Sequence, residues 1–194
     1  MPKPMDTPTS AAAPAAENND ALHLATSVFD GLVLDVTRAL FESYSVKLDL
    51  DGSPVSRILS SVKLISTIGF SSEALGGSLL LAVTNDLLVK TSPASDANLA
   101  DWAGELANQL LGRLKNQLLK YGVVVNLALP VVLSGGEFHL PSRTRPNARH
   151  VSFVSEWGHV FLRTEMELSS TAQLVRQPEA AGSASMDEGE FVLF

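Results

Sequence analysis

The 194-residue sequence contains no cysteine, which excludes disulfides, thiolate nucleophiles and zinc sites built on sulfur. Basic residues are in the minority, 14 against 21 acidic ones for a formal charge of −7, and they form no Lys- or Arg-rich patch. That balance argues against a nucleic-acid partner or an anionic membrane surface. No apolar run approaches the roughly 20 residues of a membrane span, so no membrane insertion is expected. The N-terminal stretch MPKPMDTPTSAAAPAAENND lacks the continuous apolar segment of a signal peptide. Together with the missing cysteines, this points to a cytoplasmic protein. Recognisable catalytic motifs are also lacking. His23, His139, His150 and His159 have no ligand spacing and no H-E-x-x-H occurs. Ser134-Gly135-Gly136 lacks the flanks of a nucleophile elbow. Gly76-Gly77 and Gly135-Gly136 do not open helices as phosphate-cradling loops do. No cofactor bound by this chain is expected.

What the chain does have is apolar content, 45% of residues, enough for the core of one ordinary domain. Residues 1–20, rich in Pro, Ala, Thr and Asn, read as a disordered arm. Residues 21–170 read as the domain and 171–194 as an acidic tail ending in the apolar Phe191-Val-Leu-Phe194. From about Leu22 to Tyr44, Val28, Leu32, Val36 and Leu40 recur at helical spacing, with Phe29 and Val33 widening the stripe. Alternation predicts strands over Ser45–Leu50, Val62–Phe70 and Ser78–Val83, the last two joined by the loop SSEALGG. Asn85 is placed to cap a short helix through Lys90, which Ser92-Pro93 ends. Val123–Leu129 reads as a buried strand and residues 135–148 as a polar loop. A final antiparallel pair, Val151–Ser155 and Val160–Leu168, turns at Glu156-Trp157-Gly158. Val160, Leu162, Met166 and Leu168 there share one face, as in a sheet with one side on a core. The class is α+β, with helices packed on an antiparallel sheet.

The most informative stretch runs from Asp96 to Tyr121. Leu99, Trp102, Leu106, Leu110, Leu114, Leu118 and Tyr121 form one apolar stripe at steps of three and four. At about 100° per residue, Asp101, Glu105, Asn108 and Gly112 fall together on the opposite side and face water. Glycine within a helix costs about 1 kcal/mol against alanine, and an exposed one suits a place where something approaches the backbone closely. Asn is itself a mediocre helix former, so Asn108 gains nothing locally in mid-helix. A carboxamide offers both a donor and an acceptor, enough to hold a water. A carboxylate one turn away offers a contact to a cation on a partner.

Glu105-Leu-Ala-Asn108-Gln-Leu-Leu-Gly112 fits E-x-x-N-x-x-x-G, and Pro130-Val-Val132-Leu-Ser-Gly135 fits P-x-V-x-x-G, with Gly122 and an apolar strand between them. In that order the segments resemble the CheC/CheX/FliY group of chemotaxis phosphatases, over roughly residues 22–168. The group's fold is similar to the α+β class above, with the signature helix and an N-terminal helix on an antiparallel sheet. The resemblance implies hydrolysis of the aspartyl phosphate on a CheY-like response-regulator receiver domain. Glu105 and Asn108 would be its catalytic pair, with Asp101 and Gly112 on the docking face. It further implies Mg2+ carried by the receiver and a homodimer. The first helix has no E-x-x-N, so a single-site CheX-like protein is the nearer match. Gln109 departs from the apolar residue frequent after the Asn. The alternatives are a non-catalytic module that binds a receiver or a flagellar-switch component, and a homodimeric scaffold.

Overall fold

The apolar stripe of the first helical segment forms the buried side of α1 (Ala13–Glu42), where Phe29, Val33, Val36 and Leu40 are all within the core. The computed structural model describes residues 13–93, 98–136, 138–139, 147–169, 172 and 174–178, with side chains from residue 22 onward. The helix thus starts at Ala13, upstream of the expected Leu22, while residues 1–12 of the expected arm lie outside the described residues. It ends in a tight closure at Ser45, whose φ of 60° is left-handed. The Ser45 N–H donates to the Glu42 carbonyl at 2.8 Å and that of Val46 to Phe41 at 3.0 Å, an ending that usually employs glycine. Of the strand expected over Ser45–Leu50, only β1 (Asp49–Leu50) pairs, although Val46 and Leu48 are buried.

A short helix, α2 (Val55–Ser60), follows that the sequence reading did not anticipate. Next come β2 (Leu64–Ser71) and β3 (Leu75–Val83), joined by a turn tighter than the expected loop. The Ser72 N–H donates to the Leu75 carbonyl at 2.7 Å, and Ser72 Oγ accepts from the amides of Ala74 and Leu75. Gly76 and Gly77 therefore sit inside the ladder, opposite Glu167 and Met166. A Cβ at Gly77 would collide with the Glu165 carbonyl, so glycine permits the close approach of two strands. In α3 (Asn85–Thr91) the N-cap position belongs to Thr84 rather than Asn85. Thr84 Oγ1 accepts from the His159 N–H at 3.0 Å, which ties the helix start to the sheet.

The long helix α4 (Leu99–Leu119) is followed by β4 (Asn126–Leu127) and β5 (Val131–Ser134), then by β6 (Ala148–Ser155) and β7 (Gly158–Leu168). The segment Val123–Leu129 is not a fully buried strand. Val123 and Val125 are buried while Val124 and Leu129 are exposed, and only two residues pair with β2. The antiparallel sheet has the order β1–β6–β7–β3–β2–β4, and β5 also pairs with β2. Helices α1 and α4 cover one face over the main core, into which Val160, Leu162 and Met166 of β7 point. The other face is partly covered as well. Ile58 and Leu59 of α2 join Val62, Ile65, Ala82 and Phe161 in a second, smaller core. The expectation of a single core face is corrected there, because the helix at Val55 supplies a lid for Phe161. Beyond β7, Leu174 is buried and the Gln177 N–H donates to the Lys120 carbonyl at 2.9 Å. Part of the expected tail thus packs at the C-terminal end of α4. Phe191–Phe194 lies outside the described residues.

Candidate functional site

Helix α4 is what the 3.6-residue period demands. Trp102, Leu106, Leu110, Leu114 and Leu118 are buried, and Leu99 and Tyr121 are partly so. Its first helical residue is Leu99, inside the stretch from Asp96 to Tyr121. Asn98 is the N-cap, its side chain accepting from the Ala100 N–H at 3.0 Å, which satisfies one of the free amides of the first turn. The helix then runs unbroken to Leu119 and closes at Gly122, whose φ is 74°. The buried side is wider than the stripe of large residues. Ala103, Gly104, Ala107 and Leu111 also face inward. Gly104 lets the helix lie against β5 and its proline, since an added Cβ would stand 3.3 Å from Val132 Cγ2 and 3.8 Å from Pro130 Cγ. The Pro130–Gly135 segment and the signature helix are thus in direct contact.

On the outer side Asp101 and Glu105 are exposed, while Asn108 and Gly112 are half-buried. The four positions lie along one unbroken face, with Leu106 and Leu110 beneath. Asn108 is therefore less open to water than the spacing suggests. Among the described residues, no heavy atom other than the helix's own backbone and sequence neighbours lies within 4 Å of a Cβ built on Gly112, so the space above that residue is open to them.

Two residues that the sequence reading left without a role belong to the same face. Gln109 Nε2 donates to Glu105 Oε1 at 3.1 Å, and the Tyr44 hydroxyl donates to Gln109 Oε1 at 2.6 Å. The Tyr44 ring stands edge-on to Trp102, with centroids 5.6 Å apart and planes at 89°, a favoured aromatic arrangement. Trp102 Nε1 donates to Thr91 Oγ1 at 3.1 Å. The departure at Gln109 was visible in the sequence as a polar residue in an apolar place. Tyr44 gave no signal beyond its position at the end of the first helix.

The histidines are dispersed. His23 and His139 are exposed, and the His150 ring lies 6.0 Å from that of Phe161. His159 Nδ1 is 2.8 Å from Asp51 Oδ2, beside a cleft of about 360 Å³ lined by Ser53, Arg57, Asn85 and Trp157. Burial pushes the Asp51 carboxyl up, but hydrogen bonds from the Ser53 side chain and backbone, with the hydrogen bond and charge of His159, outweigh it and hold the group below its ordinary value. Asp30 moves the other way, raised by burial against a weaker pull from Arg149. Among the described residues no group of three or more His, Asp or Glu side chains is arranged to hold a metal ion, and no helix is long and apolar enough to cross a membrane.

One comparison with known proteins spans this helix and the sheet strands beside it. Residues 64–154 match the family model of the chemotaxis phosphatase CheX. The fold is similar to that of CheX from Vibrio vulnificus, at 21% identity and a TM-score of 0.60, covering 72% of this chain and 96% of that one. A CheC-like superfamily protein from Shewanella sp. PV-4 gives 21% identity and a TM-score of 0.58, covering 72% of this chain and 97% of that one. CheX from Borrelia burgdorferi, solved in complex with CheY, BeF3 and Mg2+, gives 14% identity and a TM-score of 0.54, covering 72% of this chain and 97% of that one. No curated protein matches the sequence significantly. Over residues 64–154 the chain is thus similar to the chemotaxis phosphatase CheX, and its α+β fold is that of the CheX and CheC-like structures.

Proposed function

We propose that this protein is a CheX-like phosphatase that hydrolyses the aspartyl phosphate of a CheY-like receiver domain. The observation that carries the reading is the placing of Glu105 and Asn108 one turn apart on the outer face of an unbroken helix whose inner face from Trp102 to Leu118 is buried in the core. An aspartyl phosphate is a mixed anhydride with a good leaving group, so its hydrolysis mainly requires a correctly placed water. The water oxygen forms the new bond to phosphorus. The bond from phosphorus to the aspartyl oxygen breaks, its electron pair returns to the receiver's carboxylate, and inorganic phosphate is released. Asn108, whose carboxamide has both an NH2 donor group and a carbonyl acceptor, orients the water in line with the breaking bond. Glu105 pairs with a basic group of the receiver and fixes the docking register. Gly112 gives the clearance that lets the receiver approach, and Asp101 extends the docking face. Mg2+ enters on the receiver, where it offsets phosphoryl charge. The Borrelia burgdorferi complex, with CheX, CheY, BeF3 and Mg2+ together, supports that assignment. The proposal includes a cytoplasmic homodimer joined through strand edges, away from the Glu105 face.

The test follows the decay of a phosphorylated receiver beside a binding titration against the receiver carrying a stable phosphoryl analogue. Asn108→Ala is expected to slow the accelerated decay by roughly a hundredfold, the cost of a misplaced reactant, while affinity stays within about threefold. Glu105→Ala is expected to weaken binding by about tenfold, because a charged contact to the partner is lost. A wild-type protein that binds receivers without speeding their dephosphorylation would replace the enzyme with a receiver-binding module. One that neither binds nor dephosphorylates them would leave only the scaffold.

A further inference from the structure

Glu105 is exposed, yet its carboxylate is held. An ionised carboxylate only accepts hydrogen bonds, so the Gln109 group facing it must be the Nε2 amide. That fixes the orientation of the Gln109 carboxamide and turns its Oε1 toward Tyr44. The Tyr44 hydroxyl must then donate, and its 2.6 Å contact lies at the short end for an O–H···O bond. The whole chain of donors has one direction, from the α1 end toward Glu105.

The far end of this chain is anchored in the core. Tyr44 follows the last turn of α1, beside the left-handed Ser45. Its ring is set by Trp102, which is buried and bonded to Thr91 of α3, and Thr91 Oγ1 donates in turn to the Leu87 and Leu88 carbonyls at 3.1 Å. Three helices therefore contribute to the orientation of one surface carboxylate. Among the described residues Glu105 Oε1 alone is engaged, and Oε2 carries no hydrogen bond. A free Glu would populate several rotamers and lose that freedom on binding. An apolar side chain at position 109 would leave it in that state.

We infer that Tyr44 and Gln109 are positioning residues that hold Glu105 in one rotamer before docking and present its second oxygen to a basic group of the receiver. This rests on the proposed role of Glu105 as the docking carboxylate. Because the ordering cost is met in the free protein, its loss falls on affinity rather than on the chemical step.

The experiment uses the full chain as wild type, Tyr44→Phe, Gln109→Leu and the double variant. Tyr44→Phe removes one oxygen and keeps the ring against Trp102, so the fold is retained. KM and kcat are measured for receiver dephosphorylation. Three-bond couplings of the Glu105 side chain and the Gln109 side-chain amide shifts are followed by NMR in the absence of receiver. Each single variant is expected to raise KM about two- to tenfold, the effect of freeing one long side chain, with kcat changed by less than about twofold. The double variant should be no worse than Gln109→Leu alone, since Tyr44 acts through Gln109. The NMR data should show one Glu105 rotamer in wild type and averaging in every variant. Unchanged KM in both single variants, additive losses, or a fall confined to kcat would overturn the inference. So would rotamer averaging of Glu105 in the wild type. Absence of any receiver binding or dephosphorylation by wild type would instead defeat the functional reading and the docking role with it. The couplings would still decide whether the hydrogen-bond relay exists.

Discussion

At the scale of single residues, Asp51 shows how a charge outside the candidate site governs stability. Its Oδ1 accepts from the Ser53 N–H at 2.8 Å and its Oδ2 lies 2.8 Å from His159 Nδ1. Burial favours the neutral acid, but these hydrogen bonds and the His159 charge prevail, so the folded pKa lies below the ordinary 3.8. The unfolded chain then takes up its proton first as acid is added. Asp51 therefore contributes stability above pH 3.8 that is lost as pH falls through its folded value. Denaturant midpoints of wild type and Asp51→Asn, measured from neutral pH into acid, should differ most at neutral pH and converge as pH falls below 3.8 and through the folded value. A constant difference across that range would contradict the assignment. Asp30 has the opposite sign, since burial raises its pKa and its ionisation costs the fold at neutral pH.

At the scale of elements, α4 was legible because its sequence contains both faces at once. Large apolar residues at steps of three and four and the E-x-x-N-x-x-x-G face each predict the other. The β6–β7 hairpin was legible for the same reason, with period two in place of 3.6. Helix α2 was not, although Val55, Ile58, Leu59 and Val62 have helical spacing. The Asp51-Gly52 turn signal and the strand pattern beginning at Val62 dominated that short window. The Tyr44–Gln109 bond lay beyond any local pattern, because its partners are 65 residues apart. The open space over Gly112 leads to a prediction at this scale. Gly112→Ala meets no obstruction and should raise stability by about 0.5–1 kcal/mol through helix propensity. If the receiver approaches the backbone there, the same methyl group should weaken receiver binding. Higher stability with unchanged affinity would remove Gly112 from the docking face.

At the scale of the molecule, the sheet is asymmetric at its edges. Leu129, Val131 and Leu133 are 88%, 54% and 50% exposed along the β5 side, and an exposed apolar strand edge invites pairing. The proposed homodimer covers this row. Light scattering at high micromolar concentration should give twice the chain mass, and Val131→Lys with Leu133→Lys should return it to a monomer. A monomeric wild type at that concentration would exclude the arrangement.

The position of β7 carries a consequence for how the chain acquires its shape. The last strand of the described residues lies in the interior of the sheet, between β3 and β6. Until it has been synthesised, the α4 half on β2 and β3 has no connection through the sheet to the β1–β6 half. The fold is thus closed from its middle, late, and by pairings of large sequence separation, a topology that folds slowly. During synthesis the inner edge of β3 stays open until Gly158–Leu168 arrives, and that interval is when a nascent chain is most exposed to association with its neighbours.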